Sequence, residues 1–167
     1  MSTPTLTGQI IGQAHYATRA LLERAAAPLG VSFGQVLALN VLTAGAVERD
    51  RLVQRITGTL KVDASVVQEI IAGLLDAGLA HSAALVSGAS VGGDVSPVSG
   101  ASVGGPEIRL TDTGRAVQGR IAEAVGDITT RLYGDIPADE AATVARVLTL
   151  VTQRANAELA ELPASSV

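Results

Sequence analysis

The sequence predicts a mainly α-helical fold with a small β-hairpin, and three observations predict it. Apolar residues recur at helical spacing through most of the 167 positions. Residues 56–79, ITGTLKVDASVVQEIIAGLLDAGL, read as two helices meeting at a short turn, the second closed by a glycine. Two short apolar runs, residues 82–86 and 107–110, then flank a glycine-serine excursion and lead into another helix. Helix, turn, helix, hairpin and helix, in that order, make a winged helix-turn-helix.

Each element has its own signal. Leu6, Ile10, Ala14, Ala17, Leu21 and Ala25 carry a long first helix over residues 6–27, and Pro28-Leu29-Gly30 ends it. Ser32 caps a second helix from Phe33 to about Thr43, apolar nearly all round and therefore expected at the centre of the core. Asp50 begins a third helix, which turns Leu52, Val53, Ile56 and Leu60 inward and ends at Leu60. Lys61-Val62 forms the turn, and Asp63 or Ser65 offers an oxygen to the free N–H groups of the next helix, which Gly78 stops. On that helix Val67, Ile70, Ile71, Leu74 and Leu75 share one face, while Ser65, Gln68, Glu69, Ala72 and Asp76 lie on or near the other.

Past the hairpin, Thr111 caps a helix whose stripe of Val117, Ile121, Val125, Ile128 and Leu132 runs to Tyr133-Gly134. Asp135-Ile136-Pro137 opens the last helix, with Asp139 and Glu140 in its first turn. Ala141, Leu148, Ala155 and Leu162 recur there every seven residues, with Val144 and Val151 between them. A seam of that kind packs on another helix, and a second copy of the chain is a natural supplier.

Composition removes several function classes. Hydrophobic residues make up 47% and charged residues 17%, the balance of a folded protein rather than a disordered one. The three aromatics, Tyr16, Phe33 and Tyr133, are too few for stacking single-stranded nucleic acid. The absence of cysteine rules out disulfides and thiolate zinc sites, and His15 and His81 stand apart without clustered carboxylates, so no metal and no cofactor is expected. No run approaches the roughly 20 apolar residues of a membrane span. The start MSTPTLTGQ lacks the pattern of a signal peptide, so a cytoplasmic protein is expected. No nucleophile and base can be paired, and no catalytic residue is expected.

Residues 86–93 and 98–105 repeat VSGASVGG with a period of twelve. The position where a phosphate loop needs lysine holds Asp94 in one copy and Pro106 in the other, so the repeat is read as a duplicated hairpin tip at residues 86–106.

Three pieces, ITGTLKVDASVV, GLLDAGLAH and IRLTDTGRAV, resemble the multiple-antibiotic-resistance regulator (MarR) family of winged helix-turn-helix transcription factors. The resemblance covers roughly residues 6–159. It implies a helical dimerisation region formed by residues 1–30 and 111–167, around a DNA-binding region at residues 31–110. It further implies that residues 63–77 enter the major groove of double-stranded DNA and that the hairpin reaches the neighbouring minor groove. Operator affinity would be modulated by a small aromatic or anionic ligand, with His15, Tyr16 and Arg19 on the first helix as its polar contacts.

Within that frame Arg51, Arg55 and Lys61, with Arg109 at the root of the wing, are the expected phosphate contacts, Ser65 and Gln68 are the expected contacts to base edges, and Glu69 is expected to face phosphate or a base edge. The chain departs from the family pattern on this surface. Val66, Gln68, Glu69 and Gly73 stand where basic or hydroxyl residues are usual, and the Asp-x-Arg element of the wing is missing. Between residues 49 and 78, Arg49, Arg51, Arg55 and Lys61 are balanced by Asp50, Asp63, Glu69 and Asp76. Two readings stay open: a homodimeric, ligand-responsive repressor, and a winged-helix homologue that has lost strong DNA binding and acts through ligand or protein contacts.

Overall fold

In the computed structural model, residues 5–83 and 105–162 are described. The chain falls into two compact units, Met1–Gly126 and Asp127–Val167. The first unit contains α1 (Gly8–Ala26), a short 3₁₀ turn (Ala27–Leu29), α2 (Phe33–Leu42), β1 (Val47–Glu48), α3 (Arg49–Leu60), α4 (Ala64–Asp76), β2 (Ala80–Ala83), β3 (Glu107–Leu110) and most of α5 (Asp112–Tyr133). The three strands form one antiparallel sheet in the order β1-β3-β2.

The core is aliphatic. Val36, Ala38, Leu39 and Leu42 of α2, Leu52 and Ile56 of α3, and Val67, Ile71 and Leu74 of α4 are buried together with Ile108 and Leu110 of β3 and Ile121 of α5. The central place expected of α2 follows from its surroundings, since it packs against α1, α3, α4 and β3. Its start is fixed by a capping box: the Gln35 backbone N–H donates to the Ser32 hydroxyl, and the Gln35 side chain accepts from the Ser32 N–H at 2.8 Å.

Helix α4 ends as the sequence indicates. Gly78 is left-handed (φ 65°), and the Leu79 and Gly78 N–H groups donate back to the Leu74 and Leu75 carbonyls. This double bond pattern turns the chain sharply into β2. Its start differs from expectation, for Asp63 occupies the N-cap position but its side chain makes no capping hydrogen bond. The strands differ as well: β1 was not expected, and β2 begins at Ala80, two residues before the expected run. Residue 86 and nearly all of the repeat lie outside the described residues.

One junction ties the end of α4 to the start of α5. The Thr111 N–H donates to the Leu79 carbonyl at 3.1 Å, and the Thr111 hydroxyl donates to the Gly78 carbonyl at 2.7 Å. The same hydroxyl accepts the Gly114 N–H at 2.9 Å and so caps α5. Gly114 passes so close to the Leu79 carbonyl oxygen that a Cβ there would overlap it.

The second unit holds the end of α5 and the helix α6 (Ala138–Glu161), with Pro137 at its N-cap and Asp139 and Glu140 in its first turn. No described residue of α6 is buried, and Val144, Leu148, Val151 and Leu159 are all exposed.

Gly114→Ala is expected to lower the free energy of unfolding by about 1–3 kcal/mol through overpacking. Gly119, also in α5, has open space around its Cα, so Gly119→Ala should raise stability by about 0.5–1 kcal/mol. Urea unfolding of the two variants checks the pair, and equal effects would show that the junction is not as tight as described.

Candidate nucleic-acid interface

The surface of α4 divides cleanly. Val67, Ile71 and Leu74 point into the core, while Ser65, Val66, Gln68 and Glu69 are exposed in the first half of the helix. At 3.6 residues per turn, Ser65 and Glu69 lie nearly opposite the buried stripe, with Gln68 on one flank and Val66 on the other. The structure thus places Ser65 and Gln68, the expected base contacts, on one exposed surface with Glu69. Among described residues α4 carries no cation, so its exposed face is polar and, at Glu69 and Asp76, negative.

The expected phosphate contacts separate into two kinds. Arg55 is exposed on α3, and Lys61 is exposed in the turn before α4; among the described residues neither is ion-paired. Lys61 adopts the left-handed conformation (φ 56°), the one described non-glycine residue to do so, and its N–H closes α3 on the Thr57 carbonyl.

Arg51 and Arg109, by contrast, are engaged. Arg51 lies 3.5 Å from Glu48, and Arg109 lies 3.5 Å from Glu107. Both pairs are local, Glu48 lying three residues before Arg51 and Glu107 two before Arg109, and the sheet register sets Glu48 directly across from Glu107. Like charges in facing strand positions repel. Each arginine neutralises one of them, and Glu48 also accepts the Gly105 N–H at 3.1 Å, while the Arg49 N–H donates to the Pro106 carbonyl. These bonds hold the root of the hairpin against the start of α3. An open cleft of about 570 Å³ lies between them, lined by Ala46, Val47, Glu48, Arg51, Arg55 and Glu107.

Sequence reasoning missed both glutamates. The signal was local spacing, since Glu48 stands three residues before Arg51 and Glu107 two before Arg109 on the same strand; what the sequence hides is that the two glutamates face each other across the sheet.

The residues expected to meet a ligand share one side of α1. The rings of His15 and Tyr16 are edge to face with centroids 5.4 Å apart, and Tyr16 is exposed. Arg19 donates to Glu23 at 2.8 Å, and its guanidinium sits 4.9 Å over the Phe33 ring. A second open cleft, of about 480 Å³, is lined by Leu42, Thr43, Gly45, Ala46, Arg109, Leu110, Arg115 and Gln118. None of His15, Tyr16 and Arg19 lines either cleft.

No family model and no curated protein matches the chain. Solved structures do. A mutant of Escherichia coli MarR complexed with operator DNA aligns with a TM-score of 0.65 at 20% identity, over 90% or so of either chain (86% of this one, 91% of the other). The fold is that of MarR. CouR from Rhodococcus jostii bound to p-coumaroyl-CoA gives a TM-score of 0.67 at 16% identity, covering 86% of this chain and 90% of CouR. A MarR-family protein of Mycobacterium tuberculosis in complex with p-aminosalicylic acid gives 0.60 at 19%, covering 89% and 99%. The mainly helical architecture with a small three-stranded sheet is the MarR winged helix, as the residue pattern implied.

Lys61 stands at the turn of this MarR-type helix-turn-helix in a conformation that costs a side-chain-bearing residue about 1–2 kcal/mol. Lys61→Gly is therefore expected to raise stability by about 0.5–1 kcal/mol, part of the gain being lost to the freer unfolded chain. Thermal unfolding checks it; a lower midpoint would mean that the lysine side chain contributes packing here.

Proposed function

We propose that this chain is a homodimeric transcriptional regulator, a repressor, that binds double-stranded DNA and whose operator affinity is modulated by a small ligand. The observation that carries the reading is the presentation of α4. Its inner face is locked into the core while Ser65, Val66, Gln68 and Glu69 stand free at its N-terminal half, the part of a recognition helix that meets base edges. Support comes from the fold, one solved example of which is complexed with operator DNA. In this reading residues 31–110 form the DNA-binding region, and residues 1–30 with 111–167 form the dimer, in the cytoplasm.

The electrostatics call for modest affinity. Of the four expected phosphate contacts, Arg55 and Lys61 are available and Arg51 and Arg109 are held by glutamates. A dimer then offers four available cations, and the logarithm of affinity should fall with the logarithm of salt at a slope of roughly −3.6. The ligand is proposed to be small and aromatic or anionic, contacting His15, Tyr16 and Arg19. Arg19 would exchange the exposed Glu23 carboxylate for the ligand's, at a cost of about 0.3–0.5 kcal/mol.

Fluorescence anisotropy against the DNA flanking its own gene, at low salt, tests this reading. Saturable binding should weaken in Arg55→Ala with a shallower salt slope, whereas Glu107→Gln, which releases Arg109, should bind more tightly with a slope steeper by up to roughly 1.8 per dimer. The same titration with added p-aminosalicylate should show lower affinity, an effect that Arg19→Ala reduces. Absence of saturable binding would remove the regulator reading.

A second reading rests on Glu69, which lies near the middle of the exposed face of α4, where a phosphate would be repelled. On that reading the chain is a winged-helix homologue that has lost strong DNA binding and acts through ligand or protein contacts. Specific operator binding abolished by Gln68→Ala would sink it.

The dimer is supported by α6, whose Val144, Leu148, Val151 and Leu159 present an apolar stripe to solvent. A second copy of this chain is the proposed cover. Light scattering should give twice the 16.8 kDa chain mass, and Leu148→Glu should shift it toward the monomer. A wild-type monomer at micromolar concentration would overturn the assignment.

A further inference from the structure

Val66 is out of place on α4. It is the third residue of the helix and is 42% exposed, although the surface beside it is otherwise polar. The exposed part of this aliphatic side chain gains nothing from the protein's own core. Its position is nevertheless well defined. Val66, Ile70 and Gly73 follow one another along the flank of α4 that faces α2, where Ile70 lies close against Gly34 and Gly73 lies beside the Gln35 side chain. Val66 is one turn before Ile70, so it sits just past the contact with α2, on the same flank. Branching at Cβ gives it a single preferred rotamer in a helix, so little freedom remains to be lost on contact with a partner.

On the reading that α4 enters the major groove, an inference on which this one rests, we infer that Val66 reads the 5-methyl group of a thymine. The chemistry selects that base. In the major groove each base pair shows a different set of donors, acceptors and methyl, and thymine alone offers an apolar group. Valine has no hydrogen-bonding atom in its side chain. Set against the amino group of cytosine or the acceptors of guanine, it would strip water from them and return no bond, which is a cost rather than a gain. Ser65, Gln68 and Glu69 can serve the polar edges of neighbouring bases, so Val66 adds a kind of discrimination that none of them can supply. The departure from a basic or hydroxyl residue thereby becomes a specificity element instead of a simple loss of charge.

The size of the effect follows from one methyl group. Removing a methyl from an apolar contact costs about 0.8 kcal/mol, which is about a fourfold change in affinity. Deoxyuridine is the clean probe, because it pairs with adenine as thymine does and differs from it only by that methyl.

The test begins with selection from a pool of random-sequence duplexes on the full-length protein, followed by replacement of each thymine in the enriched site by deoxyuridine. Replacement at either of the two positions related by the dimer should weaken the wild-type protein about fourfold and Val66→Ala by clearly less, and Val66→Ala, which loses both contacts of the dimer, should bind the unmodified site up to about sixteenfold more weakly than wild type. Val66→Ala should unfold at or above the wild-type temperature, since the side chain is exposed and alanine is the better helix former. Enrichment with deoxyuridine penalties that are equal in the two proteins, or with none at any position, would overturn the role of Val66 and leave DNA binding standing. Failure to enrich any sequence would overturn the DNA-binding reading and this inference with it.

Discussion

The structure depends on a crossing of two backbones, where the chain leaving α4 passes the chain entering α5. Thr111 is the fastener. Its N–H and hydroxyl hold the Leu79 and Gly78 carbonyls, while its oxygen caps α5. Everything between these points, β2, the wing and β3, is an excursion that leaves and returns at one place. The angle at which α4 is offered to a partner is set here as well, because its last turn cannot rotate without breaking these bonds. Gly114 makes the approach possible by having no side chain.

Much of this was legible in the sequence, and the reason is local. The end of α4 at Gly78, the strand Glu107–Leu110 and the cap at Thr111 each depend on residues within a few positions of one another, so a single stretch carries the whole signal. What could not be read depends on pairing at a distance. The strand Val47–Glu48 exists because β3 is beside it, and no pattern of two residues announces it. The bond of Thr111 to Gly78 spans more than thirty positions. Asp63 shows the opposite failure: the residue type is right for a cap, but the side chain makes no such bond.

For the proposed DNA-facing surface, the sequence foretells exposure better than it foretells partners. Ser65, Gln68 and Glu69 share an exposed face, as period alone demands. Which arginines are engaged also follows from spacing, at three residues for Glu48 and Arg51 and two for Glu107 and Arg109, once the glutamates are counted. Counting charges along residues 49–78 leaves out the carboxylates that hold Arg51 and Arg109, since Glu48 and Glu107 both lie outside that window. For the residues proposed to meet a ligand the same lesson holds. Arg19 looks free on a helix face in the sequence, and in the folded chain it is shared between Glu23 and the Phe33 ring.

The facing glutamates at the root of the wing have a thermodynamic consequence. At the root of the wing Glu48 and Glu107 are each paired with an arginine, and Asp50 stands beside Glu48 near Gly105, so repulsion between carboxylates is set against attraction within each ion pair over a few ångströms. Added electrolyte screens both kinds of term together, so their sum changes little. Arg55 and Lys61 have no such internal balance. Ionic strength is therefore a lever that acts more on what the surface does to an outside polyanion than on the attachment of the wing, whose charges meet well inside the roughly 10 Å screening length of 0.1 M salt.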